Sequence, residues 1–540
     1  MVENVSNSNS NPNDPEKVVG SRPYTGSEYL ESLRDGREVW IYGEKVSDVT
    51  THPAFRNSAR MTARLYDALH DPAKKDILTC ETDSGSGGYT HRFFKPAYNS
   101  KDLVASRDAI AEWQRVSYGW LGRSPDYKAA LIANFGVGAD FYQPYQANAQ
   151  RIYKEAQEKV LYMNHALVNP PIDRDKPVDQ VRDVYVHVRK ETDAGIVVSG
   201  AKVVATNSAL THYNFVGYTG IPIKTAEFAV AFAVPMNTPG IKLICRPSYE
   251  MMAAVMGSPF DYPLSSRMDE NDAIMILDDV LIPWENVLIY RDLARFNLFM
   301  RRSGFFQRLS LHGCTRLAVK LDFICGLLLK AIDVTGVGGF HGVQVNVGEV
   351  LNWRNLFWSL SDAMCHNVEP WMGGSVLPNM QAALTHRMMM TIAYPRIKEI
   401  IQNVIASGLI YQPSSNRDWQ NEELRPYLDK YVRGSGGIEA IDRVKLMKLL
   451  WDAIGTEFGS RHGLYELNYA GNHEAIRQET FLIAGADRTT DNLKSFVDRC
   501  MAEYDVNGWI VPDMVDSNDV NYFSELGRSG DFEKRSKAGS

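Results

Sequence analysis

Gly195-Ile-Val-Val-Ser-Gly-Ala-Lys202-Val-Val-Ala-Thr206 decides how this chain is read. β-Branched residues flank Ser199-Gly200, which predicts two short strands, 195–198 and 202–206, around a tight turn. Upstream, Val181–Val188 (VRDVYVHV) alternates with period two. Downstream, Phe228–Val234 and Ala273–Leu277 have strand character, and Leu281-Ile-Pro283-Trp-Glu-Asn286 closes the section. Residues 178–290 therefore read as a compact β domain.

The flanks read as helix. In 23–177, Ile110, Trp113 and Val116 keep helical spacing within Asp108–Tyr118, and Ser124-Pro125-Asp126 is a helix-start signal. A further helical pattern covers Ala147–Asn164 and is stopped near Asn169-Pro170-Pro171. In 291–512 the long candidates are Arg316–Ile332, Val350–Cys365, Ala382–Ala406 with a kink expected at Pro395, and Ile441–Phe458. Short connections predict an antiparallel four-helix bundle. The polar stretch 1–22 reads as a disordered leader and 513–540 as a frayed polar tail. The fold class is α+β, with an N-terminal helical domain, a middle β domain and a C-terminal four-helix bundle.

Composition narrows the function. The 540 residues carry a formal net charge of -7, and no basic stripe interleaved with aromatics occurs, which argues against nucleic acid. No stretch approaches the roughly 20 apolar residues of a membrane span. Six scattered cysteines without a CxxC pair fit a reducing cytoplasm and give no metal site. Gly85-Ser-Gly87-Gly88 and Gly434-Ser-Gly436-Gly437 both miss the dinucleotide-binding spacing, and no Walker loop occurs.

The order helix, β, bundle is similar to flavoproteins of the acyl-CoA dehydrogenase fold, as are the 195–206 segment and Asp279-Val-Leu-Ile-Pro283-Trp-Glu-Asn286-Val287. A closer resemblance lies in Ser117-Tyr-Gly-Trp-Leu-Gly-Arg123-Ser-Pro-Asp-Tyr127-Lys128, Leu161-Tyr-Met-Asn-His165, Asn169-Pro-Pro-Ile-Asp-Arg174 and Asp193-Ala-Gly195. Ser407-Gly-Leu-Ile-Tyr411, Lys430-Tyr-Val-Arg-Gly-Ser435 and Trp451-Asp-Ala-Ile-Gly455 continue it. Over residues 22–512 the chain resembles the 4-hydroxyphenylacetate 3-monooxygenase family. That resemblance implies the oxygenase component of a two-component enzyme, commonly a homotetramer. It takes FADH2 from a separate NADH:flavin reductase and hydroxylates a phenol beside its oxygen through a flavin C4a-hydroperoxide. The absence of a nicotinamide-binding fingerprint agrees.

Such a reaction needs an electron-rich ring, so the phenol must be deprotonated or polarised. A fixed cation lowers the phenol pKa and a base within reach takes the proton. By resemblance Arg123, Tyr127 and His165 surround the phenolic oxygen, Arg123 as permanent charge, Tyr127 orienting, and His165 as base or donor with a pKa in the useful range. The plain alternatives are a surface arginine, a core tyrosine and a helix C-terminal histidine. For the flavin, Thr206 resembles the contact near N5, and Asp173 and Arg174 the flavin loop. Arg461, His462, Tyr469 and Gly471 are candidates for the adenine or diphosphate end. The loop Tyr218-Thr219-Gly220 lies where hydroxyphenylacetate enzymes hold a carboxylate, and is shorter here. This departure implies phenol, giving catechol, or a chloro- or nitrophenol. 4-Hydroxyphenylacetate stays as the alternative. More distant alternatives are a 4-hydroxybutyryl-CoA dehydratase, which needs cluster-ligating cysteines, an acyl-CoA dehydrogenase, and a non-enzymatic bundle scaffold.

Overall fold

The computed structural model describes residues 20–514 except Arg174, Pro177, Thr219 and Ile221. Its contacts divide it into two units, one ending at Ala470 and one beginning at Gly471. Besides the short pair Glu369–Pro370 and Val376–Leu377, the described residues of the first unit hold twelve strands: β1 (Val39–Ile41), β2 (Glu44–Val46), β3 (Thr79–Glu81), β4 (Tyr89–His91), β5 (Met163–Ala166), β6 (His187–Thr192), β7 (Gly195–Thr206), β8 (Tyr213–Val216), β9 (Val230–Pro235), β10 (Ile241–Cys245), β11 (Asp272–Pro283) and β12 (Val287–Tyr290). They form a six-stranded sheet, β2-β1-β10-β11-β7-β6, a four-stranded sheet, β12-β9-β8-β5, and the hairpin β3-β4. The fold is mixed α+β, as the sequence predicts.

The deciding segment is built differently from its prediction. Residues 195–206 form one continuous strand, β7, paired along its length with β11 from Thr206↔Asp272 to Gly195↔Pro283. The turn lies earlier, at Asp193-Ala194, where β6 folds back on β7 with Thr192 opposite Gly195. Gly200 serves close approach instead of a turn. Its φ is +129°, and a Cβ there would lie 2.5 Å from the Tyr185 carbonyl. Two register slips in β11, with Asp279 at φ 48°, bend the pair without breaking it.

Strands also come from the segment predicted as mainly helical. β1 joins β10 in parallel, and β5 joins β8 in parallel with His165 opposite Phe215. The helix expected to reach Asn164 covers Gln146–Lys159 and stops at Val160, whose φ of 53° takes the chain left-handed. His165 therefore sits in a strand, not at a helix C-terminus.

The long helices are Phe305–Thr335, His341–His366, Met380–Ile405 and Ala440–Ile454. The first packs against the other three, giving the expected bundle. The pattern read as 441–458 breaks at Gly455, and Thr456 caps a new helix, Glu457–Asn468, through the Gly459 amide. In the second unit the helices His473–Ala486 and Thr489–Met501 pack together and leave Phe481, Leu493 and Phe496 exposed. No helix among the described residues is long and apolar enough to cross a membrane.

Candidate active site

The helix Ser100–Val116 ends at Ser117, and the chain turns sharply through Tyr118 and Gly119, φ 55° and 74°. At Gly119 a side chain would strike the Lys320 backbone, with a Cβ 2.6 Å from its nitrogen. This turn brings Arg123 inward, and Glu270 accepts the Arg123 amide at 2.5 Å. Ser124 and Pro125 then start a single 3-10 turn, Pro125–Tyr127, followed by the helix Ala129–Val137. The tight turn places the Arg123 guanidinium 4.2 Å above the Tyr127 ring. Arg123 is 9% exposed, and its Nε and Nη1 have no hydrogen-bond partner. No carboxylate forms an ion pair with it among the described residues. A buried permanent cation without an anion is costly and marks a place where an anion from outside the chain fits.

The rings of Tyr127 and His165 lie 5.4 Å apart, so the structure brings together all three predicted phenol-binding residues. It adds Lys128, to which the sequence reading assigned no role. Lys128 is fully buried, and its Nζ lies 2.6 Å from His165 Nδ1. Phe305 and Tyr127 face the amine at 4.0 and 5.2 Å. Burial, then Lys128 and Arg123, push the His165 imidazole well below its usual pKa. This corrects the expectation of a pKa in the useful range: His165 is a neutral ring near pH 7. Burial and Arg123 likewise push the Lys128 amine well below the ordinary lysine value. Behind Tyr127 lies a buried pair that the sequence did not reveal, with His312 Nε2 3.1 Å from Asp126 Oδ1.

The helix Glu457–Asn468 supplies a second line of groups. Phe458, His462 and Tyr465 recur at helical spacing, and Tyr469 follows at the C-cap. They form a row of rings: Phe458–His462 at 4.4 Å, His462–Tyr465 at 6.4 Å, Tyr465–Tyr469 at 5.3 Å and Tyr469–Tyr127 at 6.4 Å. This row links the predicted flavin residues His462 and Tyr469 to the phenol group. Along it His462 Nε2, Tyr465 Oη and Tyr469 Oη are buried without hydrogen-bond partners. The sequence signal for the missed Tyr465 was its spacing from His462 and Tyr469.

Thr206, at the end of β7, donates its hydroxyl hydrogen to Asp272 at 2.6 Å. Asp272 also accepts from Arg461 Nε and Nη2, at 3.0 and 2.7 Å, and from Arg246 Nε at 2.9 Å. Burial would raise the Asp272 pKa, but Arg461 and Arg246 hold it far below the carboxylate range. Arg461 additionally meets Glu270 at 3.3 Å. The diphosphate expectation for Arg461 is thereby revised, because its guanidinium is engaged by protein carboxylates and holds the partner of Thr206. Arg246 lies 4.1 Å over Tyr249, which with Met252, Trp451 and Phe458 lines an open cleft of about 220 Å³.

Other predicted residues lie outside this group. Asp173 is exposed in a turn and pairs with Lys176 at 2.6 Å. Arg174 and Thr219 lie outside the described residues. Tyr218 stacks on Phe296 at 6.4 Å and sits 5.6 Å from the Lys202 amine, and Gly220 takes φ +142°. Lys202 is buried, donates to Asn169 Oδ1 at 2.7 Å, and is lowered by burial to about 7. Gly471, φ +100°, begins the second unit. Among the described residues no cluster of His, Cys, Asp and Glu could hold a metal ion.

Known proteins are similar to this chain over most of its length. Residues 25–289 match the 4-hydroxyphenylacetate 3-hydroxylase N-terminal model and residues 296–498 the C-terminal model. A 4-nitrophenol 2-monooxygenase oxygenase component from Rhodococcus sp is 60% identical, over 92% of this chain and 96% of the relative. A 4-hydroxyphenylacetate 3-monooxygenase oxygenase component from Pseudomonas aeruginosa is 57% identical, over 94% and 98%. The crystal structure of an oxygenase component of 4-hydroxyphenylacetate 3-monooxygenase, complexed with FAD and 4-hydroxyphenylacetate, superimposes with a TM-score of 0.82 at 31% identity, over 89% of this chain and 99% of that one. Motifs, fold and these matches agree across both halves of the first unit, and the chain belongs to the 4-hydroxyphenylacetate 3-hydroxylase family.

Proposed function

We propose that this chain is the oxygenase component of a two-component flavin-dependent monooxygenase, which hydroxylates a phenol ortho to its oxygen with FAD reduced by a separate NADH:flavin reductase. The observation that carries the reading is Arg123, a buried cation with unpartnered Nε and Nη1, set against Tyr127 with His165 alongside. A phenolate oxygen is the anion this arrangement lacks. The guanidinium stabilises it, Tyr127 and His165 orient it, and the surrounding rings exclude water. A ring carrying a phenolate is electron-rich at the ortho carbon, where an electrophilic oxygen attacks.

The residues present fit a reduced flavin. The Thr206 hydroxyl gives its hydrogen to Asp272, which leaves its oxygen lone pairs as acceptors, the complement of a flavin N5–H donor. His462, Tyr465 and Tyr469 offer buried polar atoms that lack partners within the chain. Thr206 would hold the ring edge, with Asp272, Arg461 and Arg246 fixing its orientation. Bound FADH2, with O2, supplies the oxygen atom that is transferred.

For the substrate we propose phenol or a small 4-substituted phenol, with catechol as the product from phenol. The shortened 218–224 loop supports this, and the identity to the 4-nitrophenol enzyme supports the substituted form. Lys202 favours a second reading. Its buried amine beside Tyr218, in the segment where the resemblance puts the carboxylate of hydroxyphenylacetate substrates, is a donor that keeps 4-hydroxyphenylacetate in play. The exposed Phe481, Leu493 and Phe496 support a homodimer or homotetramer, and six free cysteines support a reducing cytoplasm. The test supplies reductase, NADH, FAD and oxygen, with phenol, 4-nitrophenol and 4-hydroxyphenylacetate in pairwise competition and products identified by mass. Each pair returns a ratio of kcat/KM values. The outcome expected is an ortho-hydroxylated product with phenol or 4-nitrophenol preferred. A ratio favouring 4-hydroxyphenylacetate selects the second substrate, and no hydroxylated product from any of them overturns the function.

A further inference from the structure

If the phenol binds as proposed above, its proton needs a destination, because His165 is too poor a base to keep it. The ring that neighbours Tyr127 also meets one other nitrogen base. Lys128 Nζ lies 2.6 Å from His165 Nδ1, on the ring nitrogen opposite Nε2. Lys128 is fully buried and forms no ion pair with a carboxylate among the described residues. Phe305 from the Phe305–Thr335 helix, Tyr127 from its own loop and Phe215 from β8 enclose the amine at 4.0, 5.2 and 5.9 Å.

We propose that Lys128 is the terminal proton acceptor of a relay running from the phenolic oxygen through His165. The lone pair of His165 Nε2 takes the phenolic proton as the O–H bond breaks. The Nδ1–H bond breaks in turn, and its proton joins the lone pair of Lys128 Nζ. The products are a phenolate beside Arg123, an ammonium at Lys128, and a neutral His165 in its other tautomer. No proton leaves for solvent, and the imidazole never holds two. Lys128 acts through His165 and does not touch the substrate.

The surroundings suit both states of the amine. Before substrate binds, the groups nearest the amine are cationic or neutral, Arg123 and Tyr127 on the same loop and His165 on β5, with Tyr469 after the Glu457–Asn468 helix and the Glu270 carboxyl held on the Arg123 amide. His312 of the Phe305–Thr335 helix faces Tyr127 from behind, and the Asp126 carboxylate stands against His312. Burial and Arg123 favour the free amine there, as in lysines that serve as general bases. Once a phenolate is present the site holds a new negative charge, and the three aromatic faces accommodate the ammonium.

The test uses the full chain loaded with reduced FAD under anaerobic conditions and 4-nitrophenol as probe, because its phenolate absorbs visible light and its neutral form does not. Absorbance gives the ionisation state of the bound probe. Calorimetric titration in two buffers of different protonation heat gives the protons released per ligand. At a pH about one unit below the probe's own pKa, the relay predicts bound phenolate with about zero protons released. Lys128→Met should weaken the bound phenolate band about tenfold or more at that pH. Lys128→Arg keeps a cation but cannot accept a proton, so phenolate there should form only with release of about one proton. Release of about one proton by the wild-type chain means the amine was already an ammonium, and overturns the relay. A bound probe that stays neutral, or a full phenolate band in Lys128→Met, overturns it too. These outcomes leave the phenol reading standing, whereas failure of the wild-type chain to bind any phenol removes both. The wild-type proton count decides the matter even if a variant does not fold.

Discussion

At the scale of single residues, Arg123 sets function against stability. Among the described residues no carboxylate forms an ion pair with its buried charge, so its removal costs the fold little. Arg123→Met is expected to unfold no earlier than the wild-type chain in a thermal melt, while product formation falls about 10²-fold or more. A variant that loses stability and keeps activity would make Arg123 a structural residue. His165→Ala should lower product yield about 10²–10⁴-fold and divert reducing equivalents to hydrogen peroxide, measured with catalase-sensitive oxygen uptake. Unchanged product yield would take His165 out of the mechanism. Thr206→Val fits a strand well, but it deletes the acceptor proposed for flavin N5–H and one hydrogen bond to a buried carboxylate. Its affinity for reduced FAD should drop about tenfold, one hydrogen bond's worth, in an anaerobic titration. An unaltered affinity would separate Thr206 from the flavin.

At the scale of elements, β7 carries a test of its own geometry. A turn glycine at position 200 would tolerate Asn, which enters left-handed turn conformations readily. In the continuous strand, Gly200→Asn must place its Cβ against the Tyr185 carbonyl at a strained φ. We expect a loss of about 1–3 kcal/mol in denaturant unfolding, and a neutral result would restore the turn. The helices Phe305–Thr335 and Glu457–Asn468 are joined by Glu466, which accepts from Arg316 and, at 2.9 Å, from Lys320. Burial opposes the carboxylate, yet the two cations hold its pKa at about 2, against an ordinary value of 4.5. A depressed folded-state pKa contributes stability that is complete above the unfolded value and disappears as pH falls towards about 2. Glu466→Gln should therefore cost about 3–5 kcal/mol near pH 7 and flatten the loss of melting temperature between pH 4.5 and acid. Parallel acid limbs in both proteins would show that Glu466 does not drive the acid transition.

At the scale of the whole molecule, the oxygenase-component relatives point to a division of labour with a separate reductase. The purified chain is expected to oxidise NADH negligibly until a flavin reductase and FAD are added, and robust NADH turnover by the chain alone would end the two-component reading. We propose that the apolar faces of the second unit serve assembly. Light scattering should find a dimer or tetramer, and Phe481→Asp with Phe496→Asp should shift it towards smaller species. A wild-type monomer at working concentration would refute this.

The sequence by itself carried the mixed α+β class and most of the long bundle helices, and its family motifs named Arg123, Tyr127 and His165, which the fold brings together. Hydrophobic periodicity is local and survives in one dimension, and the motifs around these residues are contiguous. The tertiary structure decided the rest. Ser199-Gly200 has the composition of a turn, and only β6 and β11 pairing along both edges of β7 holds it extended. Residues 161–166 follow a helical run, and only β8 draws them into a strand that aims His165 at Tyr127. The partners Lys128–His165, Thr206–Asp272–Arg461 and Arg316–Glu466 are separated by 37, 66, 189 and 150 positions in chain numbering. No local pattern encodes such contacts. They exist because burial leaves each charged or polar group to find a partner inside the fold, and the shape of that fold settles which one it meets.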